Sequence, residues 1–108
     1  ITITSDKFDA NRMFGNTDIE SGAFIETNFL DMTELFLECN LESVLFKNCK
    51  YTNSLAEDVS CRDIFTDSMI KKIVFVDCES KLIDSIMYTL NGNNEFSDVE
   101  VYIEEGKK

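Results

Sequence analysis

"CNLESVLFKNCKYTN", residues 39 to 53, sets Cys39, Val44 and Cys49 five apart, with Leu41, Phe46 and Tyr51 each two residues later. A strand repeats every two residues and an α-helix every 3.6, so a period of five belongs to neither. Carried forward, the frame of Cys39 holds Val44, Cys49, Ser54, Val59, Ile64, Met69 and Val74; counting Cys39, seven of the eight are apolar. The companion position holds Leu41, Phe46, Tyr51, Ala56, Cys61, Thr66, Lys71 and Val76. Carried backward, "TDIESGAFIETNFLD" pairs Thr17 with Ile19, Gly22 with Phe24 and Thr27 with Phe29. "MT" at 32 and 33 breaks step, and Phe36 resumes it. The pattern covers residues 17 to 78.

The units "TDIES", "TNFLD" and "CNLES" resemble the pentapeptide-repeat family, whose repeats read roughly A(D/N)LXX, and "VLFKN" and "CKYTN" fit its looser variants. That resemblance implies a mainly β fold: a right-handed quadrilateral β-helix of about three coils, four repeats to a coil. Stacked coils must match residue on residue. The frame predicts core columns Ile19/Leu41/Cys61, Phe24/Phe46/Thr66, Phe29/Tyr51/Lys71 and Phe36/Ala56/Val76. The shrinkage of these columns in the third coil is offset by growth at Thr17/Cys39/Val59, Gly22/Val44/Ile64 and Thr27/Cys49/Met69, as a close-packed core requires. Glu34 and Lys71 resist the frame, because an unpaired buried charge is costly. A bulge near 32 to 34 and a register shift near 70 are therefore expected, with "IVFVD" as a closing strand. The competing reading is an ordinary α/β domain whose short strands happen to fall five apart.

Beyond residue 78 the pattern changes. In "KKIVFVDCESKLIDSIMYTLNG" a strand gives way to a helix with Leu82, Ile83, Ile86, Met87 and Leu90 on one stripe. "NG" at 91 and 92 is a helix stop. "DVEVYIEE" then alternates Val99, Val101 and Ile103 with Glu100, Tyr102 and Glu104, the mark of a half-buried strand. Helix and strand are expected to cap one end of the repeats, and "ITIT" at the start has the strand character to cover the other. The organisation read from the chain is one domain: an N-terminal cap over 1–16, repeats over 17–78 and a cap over 79–108.

The 108 residues carry a net charge of −11, unevenly spread. Residues 13 to 46 hold seven acids and no Lys or Arg; 47 to 81 hold six of each sign; 82 to 106 hold six acids and no base. Direct nucleic-acid binding calls for the opposite sign. The longest apolar run, "IVFV" at 73 to 76, is far too short to span a membrane, and no stretch has the make-up of a signal peptide. A cytoplasmic setting is the expectation. Cys39, Cys49, Cys61 and Cys78 form no C-x-x-C pair and no histidine is present, so buried free thiols are expected rather than zinc.

No catalytic motif stands out. Without histidine, a Ser–His or Cys–His nucleophile pair is impossible within the chain, and the four glycines form no phosphate-cradling loop. Acid pairs such as Asp18/Glu20 and Glu57/Asp58 fall mainly on outward positions of the frame, where a solvated surface is the ordinary outcome. The expectation is a non-enzymatic protein without cofactor or metal. Some members of the resembled family, including the gyrase-protecting quinolone-resistance type, are acidic rods that resemble duplex DNA. Three coils at about 4.8 Å give a rod of roughly 15 Å, over which a duplex carries about nine charges. Asp18, Glu20, Glu26, Asp31, Glu38 and Glu42 are thus the candidate residues for binding a basic, DNA-binding protein such as a topoisomerase or a phage-defence nuclease. The alternative is a plain interaction module, such as a toxin-neutralising partner or a scaffold domain, and a dimer through the C-terminal cap is compatible with either.

Overall fold

Short strands recur along the chain, and every pairing between them is parallel. The structure is a computed structural model that describes residues 2–9, 13–32, 35–52, 64–91 and 98–105. Its elements are β1 (Thr2–Ile3), β2 (Phe8–Asp9), β3 (Phe14–Gly15), β4 (Asp18–Ile25), β5 (Asn28–Asp31), β6 (Phe36–Leu37), β7 (Asn40–Lys47), β8 (Lys50–Tyr51), β9 (Phe65–Thr66), β10 (Met69–Val76), α1 (Ser80–Asn91) and β11 (Glu100–Glu104). Among the described residues the protein is mainly β with one short helix. The strands form three sheets, ordered β1-β4-β7-β10-β11, β2-β5-β8 and β3-β6-β9. The chain visits the three sheets in turn and comes back to the first on each pass.

Register makes the core. β4 and β7 pair Ile19 with Leu41, Gly22 with Val44 and Phe24 with Phe46, while β5 and β8 pair Phe29 with Tyr51, as the five-residue frame predicts. All of these side chains are buried, Phe29 and Phe46 fully. The matching extends N-terminal to residue 17: Phe8 pairs with Phe29 and Phe14 with Phe36. Aromatic rings then stack along columns, Phe24 on Phe46 at 5.2 Å and Phe14 on Phe36 at 5.5 Å.

The third layer departs from the predicted frame. Leu41 pairs with Ile70, Val44 with Ile73, Phe46 with Phe75 and Phe36 with Phe65. Thr66 pairs with Leu37 and Val76 with Lys47, so neither joins the column assigned to it. Lys71, which resisted the inward place the frame gave it, is exposed, and so is Met69 at 69%, while Ile70 is buried, so the register is displaced near 70 as expected. The central columns consequently do not shrink in this layer: Phe75 stacks on Phe46 at 5.5 Å and Phe65 on Phe36 at 5.6 Å. The physical reason is the length of the pass. Equivalent residues lie 22 apart between β4 and β7 but 29 apart between β7 and β10, as the contacts Asn40–Asp18 and Lys71–Glu42 record. Twenty-nine is one short of a multiple of five, so the frame lands one residue early and the apolar neighbour of each predicted position turns inward. Glu34, Ala56, Val59 and Cys61 lie outside the described residues, as does most of the bulge predicted at 32 to 34. An irregularity is seen beside it, where β2 pairs Phe8 with Phe29 but Asp9 with Asp31.

The corners repeat as faithfully as the strands. Asn16, Glu38 and Asp67 have φ of 50°, 55° and 50°, and Glu26, Asn48 and Asp77 fall between 49° and 53°. Each trio occupies one equivalent corner in successive layers. Left-handed backbone turns the chain sharply, and Asn and Asp tolerate it better than most residues. Beside the corners, small polar side chains close the turn from inside. Thr17 Oγ1 donates to Gly15 O at 2.8 Å, Thr27 Oγ1 to Ile25 O at 3.1 Å, and Cys49 Sγ to Lys47 O at 3.4 Å. Cys39 and Cys49 are accordingly buried free thiols, and Cys78 is a half-buried one. They serve as corner donors as well as core filler.

One end of the stack is closed by α1 and β11. Leu82, Ile86 and Leu90 are buried in the shared core, and Ile83 and Met87 pack against it, which is the stripe read from the sequence. The helix meets the stack at β8, with Lys81 Nζ 5.3 Å from the centre of the Tyr51 ring. Ser85 and Thr89, also buried, return their hydroxyls to Lys81 O and Ser85 O, so the polar atoms on this face are satisfied. β11 extends the first sheet, pairing Ile73 with Val101 and Phe75 with Ile103.

Candidate functional site

The outer face of the first sheet brings three of the six candidate acids together. Alternation along a strand sends Ile19, Leu41 and Ile70 inward, so Asp18 and Glu20 on β4, Asn40 and Glu42 on β7, and Met69 and Lys71 on β10 share the opposite side. These residues line a shallow groove of about 970 Å³. Asp18 Oδ1 accepts a hydrogen bond from Asn40 Nδ2 at 2.9 Å. Lys71 Nζ contacts Glu42 Oε1 at 3.1 Å, with 70% of the lysine and 55% of the glutamate side chain exposed. An ion pair this exposed contributes at most about 1 kcal/mol. It matters more for the charge pattern: read across the layers, Glu20 and Glu42 are followed by Lys71, and Asp18 and Asn40 by Met69.

The other candidates stand elsewhere. Glu26 and Glu38 occupy two different left-handed corners and are exposed. The Glu26 amide donates to Lys47 O at 2.8 Å, and its side chain borders a separate hollow with Asp6, Asn48 and Lys50. Asp31 ends β5, in the second sheet, beside Asp9 of β2. The six acids thus form one cluster of three and three dispersed positions. The five-residue frame placed Lys71 and Met69 inside, and a displaced register at 70, expected because Lys71 resisted that place, puts both on this face. The signal available was chemical: a lysine assigned to a core position next to an isoleucine favours exchanging the two.

Carboxylates, the Lys71 amine and the Ser43 hydroxyl line the groove, a surface suited to contact with charged groups. Among the described residues no three His, Cys, Asp or Glu side chains gather closely enough to hold a metal ion. Glu57 and Asp58 lie outside those residues. Among them, too, no helix is long and apolar enough to cross a membrane. Comparison with protein-family models, with curated proteins and with solved structures found no match.

Proposed function

We propose that this protein is a non-catalytic binding module that presents acidic side chains from a rigid parallel stack to a basic protein partner. The observation that carries the reading is the exposure of Asp18, Glu20 and Glu42 on one face whose backbone is fixed by ladder pairing from β4 to β7. Charges on such a scaffold lose little freedom on binding and speed the encounter with an oppositely charged surface. In the sharper form of this proposal the passes wind as a right-handed four-sided β-helix of pentapeptide-repeat type, and the acids imitate the phosphates of duplex DNA toward a topoisomerase or nuclease. The recurrent visit to three parallel sheets, with a step of 22 residues from β4 to β7, supports that winding.

A second reading, a protein-interaction module with no DNA likeness, is favoured by Lys71 and Met69. Lys71 ends the Glu20–Glu42 column after two layers, and the Asp18 column is already neutral at Asn40 and then Met69, whereas a duplex continues its charge. The two readings separate in one experiment. The protein is titrated into complexes of basic nucleases and topoisomerases with labelled duplex DNA, and association is followed as salt rises. A mimic displaces the DNA, and its association slows steeply with salt, because such attraction is screened over about 8 Å at physiological ionic strength. The variant with Asp18, Glu20, Glu26, Asp31, Glu38 and Glu42 all changed to Asn or Gln should then fail to compete while keeping its fold. A partner bound as fast by that variant as by wild type rules out the acidic surface as the binding determinant.

A further inference from the structure

Two thiols stand one above the other at the corner that follows β7 in one layer and β10 in the next. The Asn48 amide donates to Val76 O at 2.9 Å and the Glu79 amide to Cys49 O at 3.1 Å, which fixes Cys49 and Cys78 at equivalent points of adjacent layers. Each sulfur donates inward to the layer below its own, Cys49 Sγ to Phe24 O and Cys78 Sγ to Phe46 O, both at 3.1 Å. Cys39 fills the same kind of corner on another side, but the group on its far side is Ser68, whose Oγ accepts from the Cys39 amide at 3.0 Å. The stacked pair reaches solvent at Cys78, while Cys49 is buried. Cys49 and Cys78 border a surface hollow of about 320 Å³ together with Asn48, Lys50, Asp77 and Glu79, and Cys78 is only half-buried.

We propose that Cys49 and Cys78 are a redox pair that closes to a disulfide when the protein meets a peroxide. Adjacent parallel strands lie about 4.8 Å apart, inside the roughly 4.4–6.8 Å Cα separation that disulfides span. The Cβ atoms must close to about 3.8 Å, so the bridge is somewhat strained, and strained bridges are the readily reduced ones. The two thiols occupy equivalent corners of adjacent layers and interact electrostatically. The neighbouring Cys49 thiol lowers that of Cys78 to about 7, while the Cys78 interaction and then burial raise that of Cys49. Cys78 is therefore the attacking thiolate. It displaces hydroxide from the peroxide and becomes a sulfenic acid; the hydroxide takes up the thiol proton and leaves as water. Cys49 sulfur then attacks the sulfenic sulfur, and the departing hydroxyl leaves with the Cys49 proton as a second water. Each cysteine gives up one electron, and the peroxide accepts both.

The test uses the whole chain, treated with hydrogen peroxide, alkylated and digested with trypsin without reduction. The expected product joins the peptide Asn48–Lys50 to the peptide Ile73–Lys81, two hydrogens lighter than the sum, and dithiothreitol separates them. Peroxide-treated protein in which both peptides are recovered alkylated, or in which Cys78 has gone to the sulfinic acid, overturns the proposal. Cys49→Thr keeps the corner donor, since threonine fills that corner one layer below at Thr27, and should leave Cys78 as a sulfenic acid trapped by a 1,3-dione. No trapped adduct on Cys78 in a Cys49→Thr protein of wild-type circular dichroism also overturns it. Cys39→Ser should form the linked peptide in full yield; loss of that peptide would assign the oxidation to a different pair.

Discussion

Replacing Phe46 by alanine empties the middle of a three-ring aromatic column. Phe46 is fully buried, with Phe24 stacked on one side at 5.2 Å and 13° and Phe75 on the other at 5.5 Å and 20°. Truncating a buried phenylalanine costs about 3–5 kcal/mol, the larger values where the surroundings cannot collapse into the space. Here they are held on both sides, because β7 is paired to β4 and β10 along its length. Two ring pairs, each worth about 0.5–1.5 kcal/mol beyond burial, are lost as well. The expected destabilisation is therefore about 4–5 kcal/mol, a large part of the roughly 5–15 kcal/mol that holds a domain together. Urea unfolding followed by far-ultraviolet circular dichroism should show the midpoint falling by more than about 1 M with an unchanged slope. Lys47→Ala, at the next position along β7 but exposed, should shift it by less than about 0.5 kcal/mol. Comparable losses at the two positions, or a Phe46→Ala loss under about 1 kcal/mol, would refute the inward placement of this column.

The register of the third layer is checked by Ile70→Ala, expected to cost about 2–4 kcal/mol in the same assay, against under about 0.5 kcal/mol for Lys71→Ala; the reverse order would restore the simple five-residue frame. Glu38→Asn should stabilise the protein by about 0.5–1 kcal/mol, because Glu38 is held at a φ of 55° and asparagine tolerates that region, as Asn16 does in the same corner. A thermal midpoint lowered by this change would contradict the corner argument. Iodoacetamide should alkylate native Cys78 with a rise centred near pH 7, while Cys39 and Cys49, both buried, react only on unfolding; peptide mapping at each pH reads all three.

The faces of this fold were legible because a five-residue period leaves a strong apolar trace. Ile19, Phe24, Phe29 and their partners in β7 and β8 follow from counting alone, and the stripe from Leu82 to Leu90 marks α1 equally plainly. What counting does not supply is the length of a pass. The step of 29 residues from β7 to β10 leaves the period unbroken on either side while moving its phase by one, so Met69 and Lys71 were read as inward. Only the cost of burying a lysine warns of the slip. The corners were hidden for another reason: left-handed backbone at Glu26 and Glu38 runs against the preference of glutamate, so residue type gave no sign of it.

The same pass length decides what the acidic surface is. Between residues 13 and 46 the chain has seven acids and no base, which read along the sequence is an unbroken negative surface. In a stack, however, the neighbours of a side chain are its column partners rather than its sequence neighbours. Glu42 therefore meets Lys71, 29 residues on, at 3.1 Å, although no base lies within four residues on either side of it in the chain. By the same step Lys72 stands over Ser43, so of these two lysines only Lys71 meets an acid. A charge run on such a scaffold is a patch only where the layer above repeats its sign: Glu20 over Glu42 qualifies, and Asp18 over Asn40 does not. That local pair, more than the total charge of −11, is what a basic partner would find on this face.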